Sequence, residues 1–238
     1  MNPYANRMMV ALDYPSAAEA SQCIEALSGT GVYVKVGMQL FYAAGLDFVR
    51  QLKEKGYHIF LDLKVHDIPN TAKGAMQSLA SLGVDMVNVH GAGGKKMMEA
   101  ALDGLELGTP AGQKRPLLIA VTQLTSTSQE TMNNEIGISG SVEDAVVRYA
   151  KLAKEAGLDG VVASPKEVPF IKEACGQSFL TVTPGIRPAG ADIGDQHRVT
   201  TPEEALLRLG SDYIVIGRAI TKAANPRVAL DEILAGIK

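Results

Sequence analysis

Short, β-branched apolar runs alternate along the chain with longer amphipathic stretches. Eight runs can be counted, at residues 8–12, 33–37, 58–63, 86–90, 117–122, 160–164, 179–183 and 213–217. Several are hydrophobic at every position, as in Ile214-Val215-Ile216 and Val161-Val162-Ala163, which is the pattern of strands covered by helices on both faces of a parallel sheet. The segments between them are helix-sized. Ser16 is placed to cap the first, residues 38–55 carry the second with Gly56 just past its end, and Pro165 stands where a first turn accepts proline. Further helices are predicted over 69–82, 94–107, 142–156, 202–209 and 226–237. Strands and helices alternating eight times predict a single α/β domain over 1–238, a closed (β/α)8 TIM barrel in preference to an open doubly wound sheet. No GxGxxG follows the first strand and no GxxxxGK[ST] occurs, which removes the usual dinucleotide and P-loop signatures. One long irregular stretch, 184–200, follows the seventh strand, and a loop of that length is expected to be either a lid or disordered.

The chain has 238 residues, 46% of them hydrophobic, enough to bury a large core. A formal net charge of -3 supplies no basic field for a nucleic-acid backbone, so any phosphate must be caught locally. Cys23 and Cys175 stand alone, without metal-site or disulfide spacing, and read as buried free thiols. The apolar run ending at Asp13 is too short for a signal-peptide core or a membrane span, so the chain is expected to be cytoplasmic, with no membrane partner.

In such a barrel the chemistry sits at the C-terminal ends of the strands. Asp13 closes the first run, Lys35 lies inside the second, and the third ends in Asp62-Leu63-Lys64-Val65-His66-Asp67. Asp62 and Lys64 are two apart and are expected on one face, with Leu61, Leu63 and Val65 on the other. Buried charges must be paired, and Asp13, Asp62 and Asp67 against Lys35 and Lys64 form an alternating set able to hold one another ionised. A second group follows the seventh and eighth strands, where barrels often bind phosphate. It comprises Pro184-Gly185-Ile186-Arg187 and Gly217-Arg218, with Gln196 on the intervening loop. Gly217 admits close backbone approach and Arg218 offers a planar, permanently charged fork. His90 reads as a hydrogen-bonded structural histidine, and His58, His66 and His197 as solitary. Met97-Met98 reads as packing; no GxSxG elbow is present, and neither Ser126 nor Ser164 has an identifiable base.

The stretch Asp62-Leu63-Lys64-Val65-His66-Asp67-Ile68-Pro69-Asn70-Thr71 resembles the DxKxxD signature of the orotidine 5'-phosphate decarboxylases, in its bacterial form. The resemblance extends through Ala11-Leu12-Asp13, Val34-Lys35-Val36-Gly37, Val89-His90, Gln123-Leu124-Thr125-Ser126, Thr183-Pro184-Gly185-Ile186-Arg187, Asp195-Gln196 and Ile216-Gly217-Arg218. It implies decarboxylation of orotidine 5'-phosphate to UMP without cofactor or metal, by a homodimer. Lys64 would donate the proton to C6, flanked by Asp62 and Lys35. Asp13 and Lys35 would contact the ribose, Thr125 the pyrimidine, and Arg187, Gln196, Gly217 and Arg218 the 5'-phosphate, while Asp67 and Thr71 would reach into a partner's site. Two rival readings stay open. One is a related decarboxylase or aldolase acting on a sugar phosphate such as 3-keto-L-gulonate 6-phosphate, with Mg2+ among Asp13, Asp62 and Asp67, where Lys35 and Lys64 would oppose the metal. The other is a non-catalytic barrel that senses phosphate and signals to a partner.

Overall fold

Each apolar run forms a strand: β1 (Met8–Ala11), β2 (Tyr33–Gly37), β3 (His58–Val65), β4 (Met86–His90), β5 (Leu117–Val121), β6 (Gly160–Val162), β7 (Leu180–Thr183) and β8 (Tyr213–Ile216). In the computed structural model, which describes residues 2–188 and 200–238, they pair in parallel and in chain order, and β8 closes on β1. This is the (β/α)8 barrel that the alternation predicts. β1, β5, β6 and β8 stop one or two residues short of the apolar run, because the last residues leave the ladder to form the mouth. β3 instead runs two residues longer than expected, through Lys64 and Val65.

The runs are apolar at every position because both faces are covered. Met9, Ala11, Phe60, Met86, Ile119, Val182 and Val215 pack together inside the barrel. Their neighbours in sequence, including Met8, Val10, Ile59, Leu61, Val87, Leu118 and Ile216, belong to the larger core beneath the helices.

The helices are α1 (Ala17–Ala26), α2 (Met38–Glu54), α3 (Pro69–Ala80), α4 (Gly94–Gly108), α5 (Val142–Glu155), α6 (Val168–Cys175), α7 (Arg218–Thr221) and α8 (Pro226–Ala235). Ser16 caps α1 by accepting the Glu19 N–H, and Pro165 opens a 3-10 turn leading into α6. Two expectations are corrected. The helix predicted over 38–55 is broken at Gly45, whose φ of 76° lies outside helical space. The helix predicted over 202–209 is a π turn, Glu204–Arg208, in which the Leu209 N–H reaches the Glu204 carbonyl and Ala205 and Leu206 are buried. The long irregular stretch, 184–200, lies outside the described residues from 189 to 199; its base is joined by the Ile186–Thr200 bridge.

The N-terminal rim is held by a repeated device. Asp85, Asp159 and Asp212 each precede an even-numbered strand, and each carboxylate accepts a backbone N–H of the preceding strand, from Ile59, Leu118 and Thr181, all at 2.7 Å. Each also pairs with a cation from outside the barrel: Lys53 at 2.8 Å, Arg115 at 2.7 Å and Lys172 at 2.7 Å. Arg7 joins β1 to the approach of β8 by donating to the Asp212 and Ser211 carbonyls.

Candidate active site

The opposite rim carries the charges. β3 and β4 run in register to Leu61↔Val87 and resume at Val65↔Val89, so Asp62, Leu63 and Lys64 face the single residue Asn88. A bulge of this kind re-aims side chains. Lys64 adopts φ 52°, and among the described residues it is the one non-glycine residue with positive φ. Such a conformation costs about 1–3 kcal/mol and is retained only where the surroundings enforce it. Here the Lys64 N–H donates to Asn88 Oδ1 at 2.8 Å, and Asn88 Nδ2 donates to Asp62 Oδ1 at 2.7 Å. Asp62 and Lys64 therefore do meet on one face, through the bulge rather than by simple alternation. Leu63 and Val65 pack against the outer core, as expected.

Asp62 is 8% exposed and accepts from three groups: Lys64 Nζ at 2.7 Å and Asn88 on Oδ1, and Lys35 Nζ at 3.2 Å on Oδ2. Burial pushes its carboxyl up. The two ammonium groups and the hydrogen bonds from Lys64 and Asn88 outweigh this and hold it below the ordinary carboxylate range. Lys35 bridges onward to Asp13 Oδ1 at 3.5 Å. The result is a continuous row, Asp13–Lys35–Asp62–Lys64, at the ends of the first three strands.

The row forms one wall of a cavity of about 710 Å³ closed below by Phe60, Val121, Val162, Val182 and Val215. Thr125, Arg187, Gly217 and Arg218 also line it, so both groups of residues singled out in the sequence meet in one space. Asp67 and Thr71 do not line it; both are exposed at the start of α3, and Asp67 Oδ1 accepts the neighbouring Ile68 N–H. Gln196 and His197 lie outside the described residues. Among the described residues no cluster of three His, Cys, Asp or Glu side chains converges, and both oxygens of Asp62 are already taken by lysines.

Residues 6–233 match the model of the family described as "Orotidine 5'-phosphate decarboxylase / HUMPS family". The chain belongs to this family. Two relatives named orotidine 5'-phosphate decarboxylase come from Bacillus cytotoxicus, 59% identical over 226 residues (95% of this chain, 94% of the relative), and Bacillus mycoides, 60% identical over 219 residues (92% of each). The crystal structure of orotidine 5'-phosphate decarboxylase from Lactobacillus acidophilus superposes with a TM-score of 0.87 at 44% identity, covering 97% of this chain and 98% of that one.

Gln123, which the sequence offered only as part of a motif stretch, is buried in the cavity wall. Beyond the family's motif residues, Lys222 adds a cation beside Arg218, and Tyr14 ties the end of β1 to α7 by donating from its hydroxyl to the Thr221 carbonyl at 2.9 Å. Asn88, behind the lysine row, was missed as well. Tyr14 follows Asp13 directly, and Lys222 lies one helical turn beyond Arg218; those spacings are the signals that could have found them.

The histidines correct one expectation. His66 stacks on His90 with centroids 5.4 Å apart, and His58 Nδ1 lies 3.4 Å from Asp85 Oδ1, so neither His66 nor His58 is solitary. His90 is the hydrogen-bonded histidine expected, its Nδ1 accepting the Ala92 N–H at 3.3 Å. Burial first, then the neighbouring His66 and Lys64, holds its pKa below the usual imidazole value. Cys23 and Cys175 are buried and free.

Proposed function

We propose that this chain decarboxylates orotidine 5'-phosphate to UMP and CO2, the last step of de novo pyrimidine nucleotide synthesis, with Lys64 protonating C6 directly and no cofactor. Membership of the family supports the reaction. The observation that carries the mechanism is the Lys64 ammonium 2.7 Å from the buried Asp62 carboxylate, on the wall of a cavity also lined by Arg187, Gly217 and Arg218.

Loss of CO2 from C6 leaves a carbanion whose lone pair lies in the ring plane, where the π system cannot spread it. Its stabilisation must come from outside the ring. An ammonium fixed beside C6 interacts most strongly with charge that grows as the bond breaks, and it then supplies the proton that completes the product. Asp62 holds that ammonium in place through its 2.7 Å ion pair, and Lys35 fixes the other oxygen of the same carboxylate. Asp13 and Lys35 hold the ribose, Thr125 meets the pyrimidine, and Arg187, Gln196, Gly217 and Arg218 hold the 5'-phosphate. The phosphate's binding energy is thereby available to order the site.

The working unit is a homodimer in which Asp67 and Thr71 complete a partner's site. Their exposure, and that of Ile68 between them at 67%, supports this reading, as do exposed Met38, Tyr42 and Leu46 on α2. The enzyme acts in the cytoplasm on a small nucleotide, without nucleic-acid or membrane partners; among the described residues no helix is long and apolar enough to cross a membrane.

The test is loss of substrate ultraviolet absorbance on mixing orotidine 5'-phosphate with EDTA-treated protein. Turnover by the native chain and none by Lys64→Ala is the expected result. Turnover that requires added Mg2+, or that survives in Lys64→Ala, would overturn the mechanism.

A further inference from the structure

We propose that Asn88 is a positioning residue for Lys64, clipping the Lys64 backbone and the Asp62 carboxylate to one rigid amide so that the ammonium stands at a fixed height in the cavity. The inference rests on the reading of Lys64 as proton donor.

The geometry that points to it is local and complete. Across the bulge, Asn88 is the only β4 residue opposite Asp62, Leu63 and Lys64. In a regular parallel ladder, where Ile59 turns both its N–H and its carbonyl to the β4 side, alternation would turn the Lys64 N–H toward β2, which ends at Gly37 opposite Asp62. The bulge turns it toward β4 instead, where the Asn88 side chain accepts it at 2.8 Å. Its other end donates to Asp62 Oδ1 at 2.7 Å, the same oxygen that receives Lys64 Nζ. Asn88 is 1% exposed, so water does not substitute for it.

The amide can sit only one way. A backbone N–H demands an acceptor and a carboxylate demands a donor, so Oδ1 faces Lys64 and Nδ2 faces Asp62. Aspartate could satisfy the first contact but would set a second negative charge against Asp62. Leucine or valine would leave the Lys64 N–H without its acceptor and take one of the three donors from Asp62. Only a side chain with both functions holds a positive-φ lysine and its counter-ion together. The consequence for the reaction is directional: a loosened clip lets Lys64 relax toward ordinary backbone and carries Nζ away from its place, while the phosphate and ribose contacts are untouched.

The experiment is steady-state kinetics across pH for Asn88→Ala, Asn88→Asp and Lys64→Ala, with the folded fraction of each taken from its denaturation curve. In Asn88→Ala, kcat is expected to fall about 10- to 100-fold while KM changes less than about threefold. Asn88→Asp keeps an acceptor for the Lys64 N–H at nearly unchanged volume but opposes the Asp62 carboxylate. In that variant the acid limb of kcat is expected to move to higher pH. A role in stability alone would lower the melting temperature and leave that limb unmoved. The inference is overturned by kcat in folded Asn88→Ala within about threefold of the native value, or by an unmoved acid limb in Asn88→Asp. If Asn88→Ala does not fold, the near-isosteric Asn88→Asp decides alone. Inactive Lys64→Ala beside indifferent Asn88 variants sinks only the inference, whereas active Lys64→Ala removes the reading beneath it.

Discussion

Three donors converge on the Asp62 carboxylate, and its acid titration should report on them. Its folded pKa lies below that of an unfolded aspartate, so its contribution to stability is fully present above the ordinary carboxylate range and is lost as pH falls through the folded value. Urea unfolding of the native chain and of Asp62→Asn should therefore give curves whose stability difference is constant above about pH 5 and narrows below about pH 4. A difference that stays constant down to the acid transition would mean the lysines do not hold the carboxylate ionised. The charged residues of this site were legible because Asp13, Lys35, Asp62 and Lys64 interrupt or close apolar runs at the ends of three successive strands; any one alone could end a strand or snorkel to the rim, but not all together. Asn88 was not legible. A single polar residue inside Met86-Val87-Asn88-Val89-His90 carries no charge and breaks no period, and what gives it a partner is a register shift between two strands, which no local pattern encodes.

Between elements, α3 and α4 approach backbone to backbone. Gly104 and Gly108, one turn apart on α4, face the backbone of α3 so tightly that a Cβ on either would land on the Lys73 or Gln77 carbonyl oxygen. Gly104→Ala should therefore destabilise the fold by about 1–3 kcal/mol, seen as a lower urea midpoint with little change in slope. An unshifted midpoint would show that the two helices can part without cost. The same contact fixes the start of α3, where Asp67, Ile68 and Thr71 stand exposed. Strand number and order could be read from the apolar runs because burial on both faces leaves an unbroken signal. Helix detail could not: the break at Gly45 and the π turn at Glu204–Arg208 depend on how each segment must bend to reach the next strand, a tertiary demand absent from the hydrophobic period.

Taken whole, the molecule is acidic, with a formal net charge of -3, yet among the described residues its cavity is lined by five cationic side chains, Lys35, Lys64, Arg187, Arg218 and Lys222, against two carboxylates, Asp13 and Asp62. A positive cavity in a negative surface focuses field lines on an anionic substrate. With orotidine 5'-phosphate, kcat/KM should drop several-fold as ionic strength rises from about 0.01 M to about 1 M, the Debye length shrinking from about 30 Å to about 3 Å. An insensitive kcat/KM would mean that encounter is not steered. The rim opposite the site carries a different kind of information. Its aspartate clamps bind β3 to β4, β5 to β6 and β7 to β8, and Arg7 carries the stitching on to β1. Among the described residues no such clamp joins β1 to β2, β2 to β3, β4 to β5 or β6 to β7 at that rim. A closed ring sewn at only some of its seams has built-in tear lines, so local opening should start at the unsewn ones: in native-state hydrogen exchange the amides shared by an unclamped pair such as β1 and β2 should lose their protons before those of the clamped pairs.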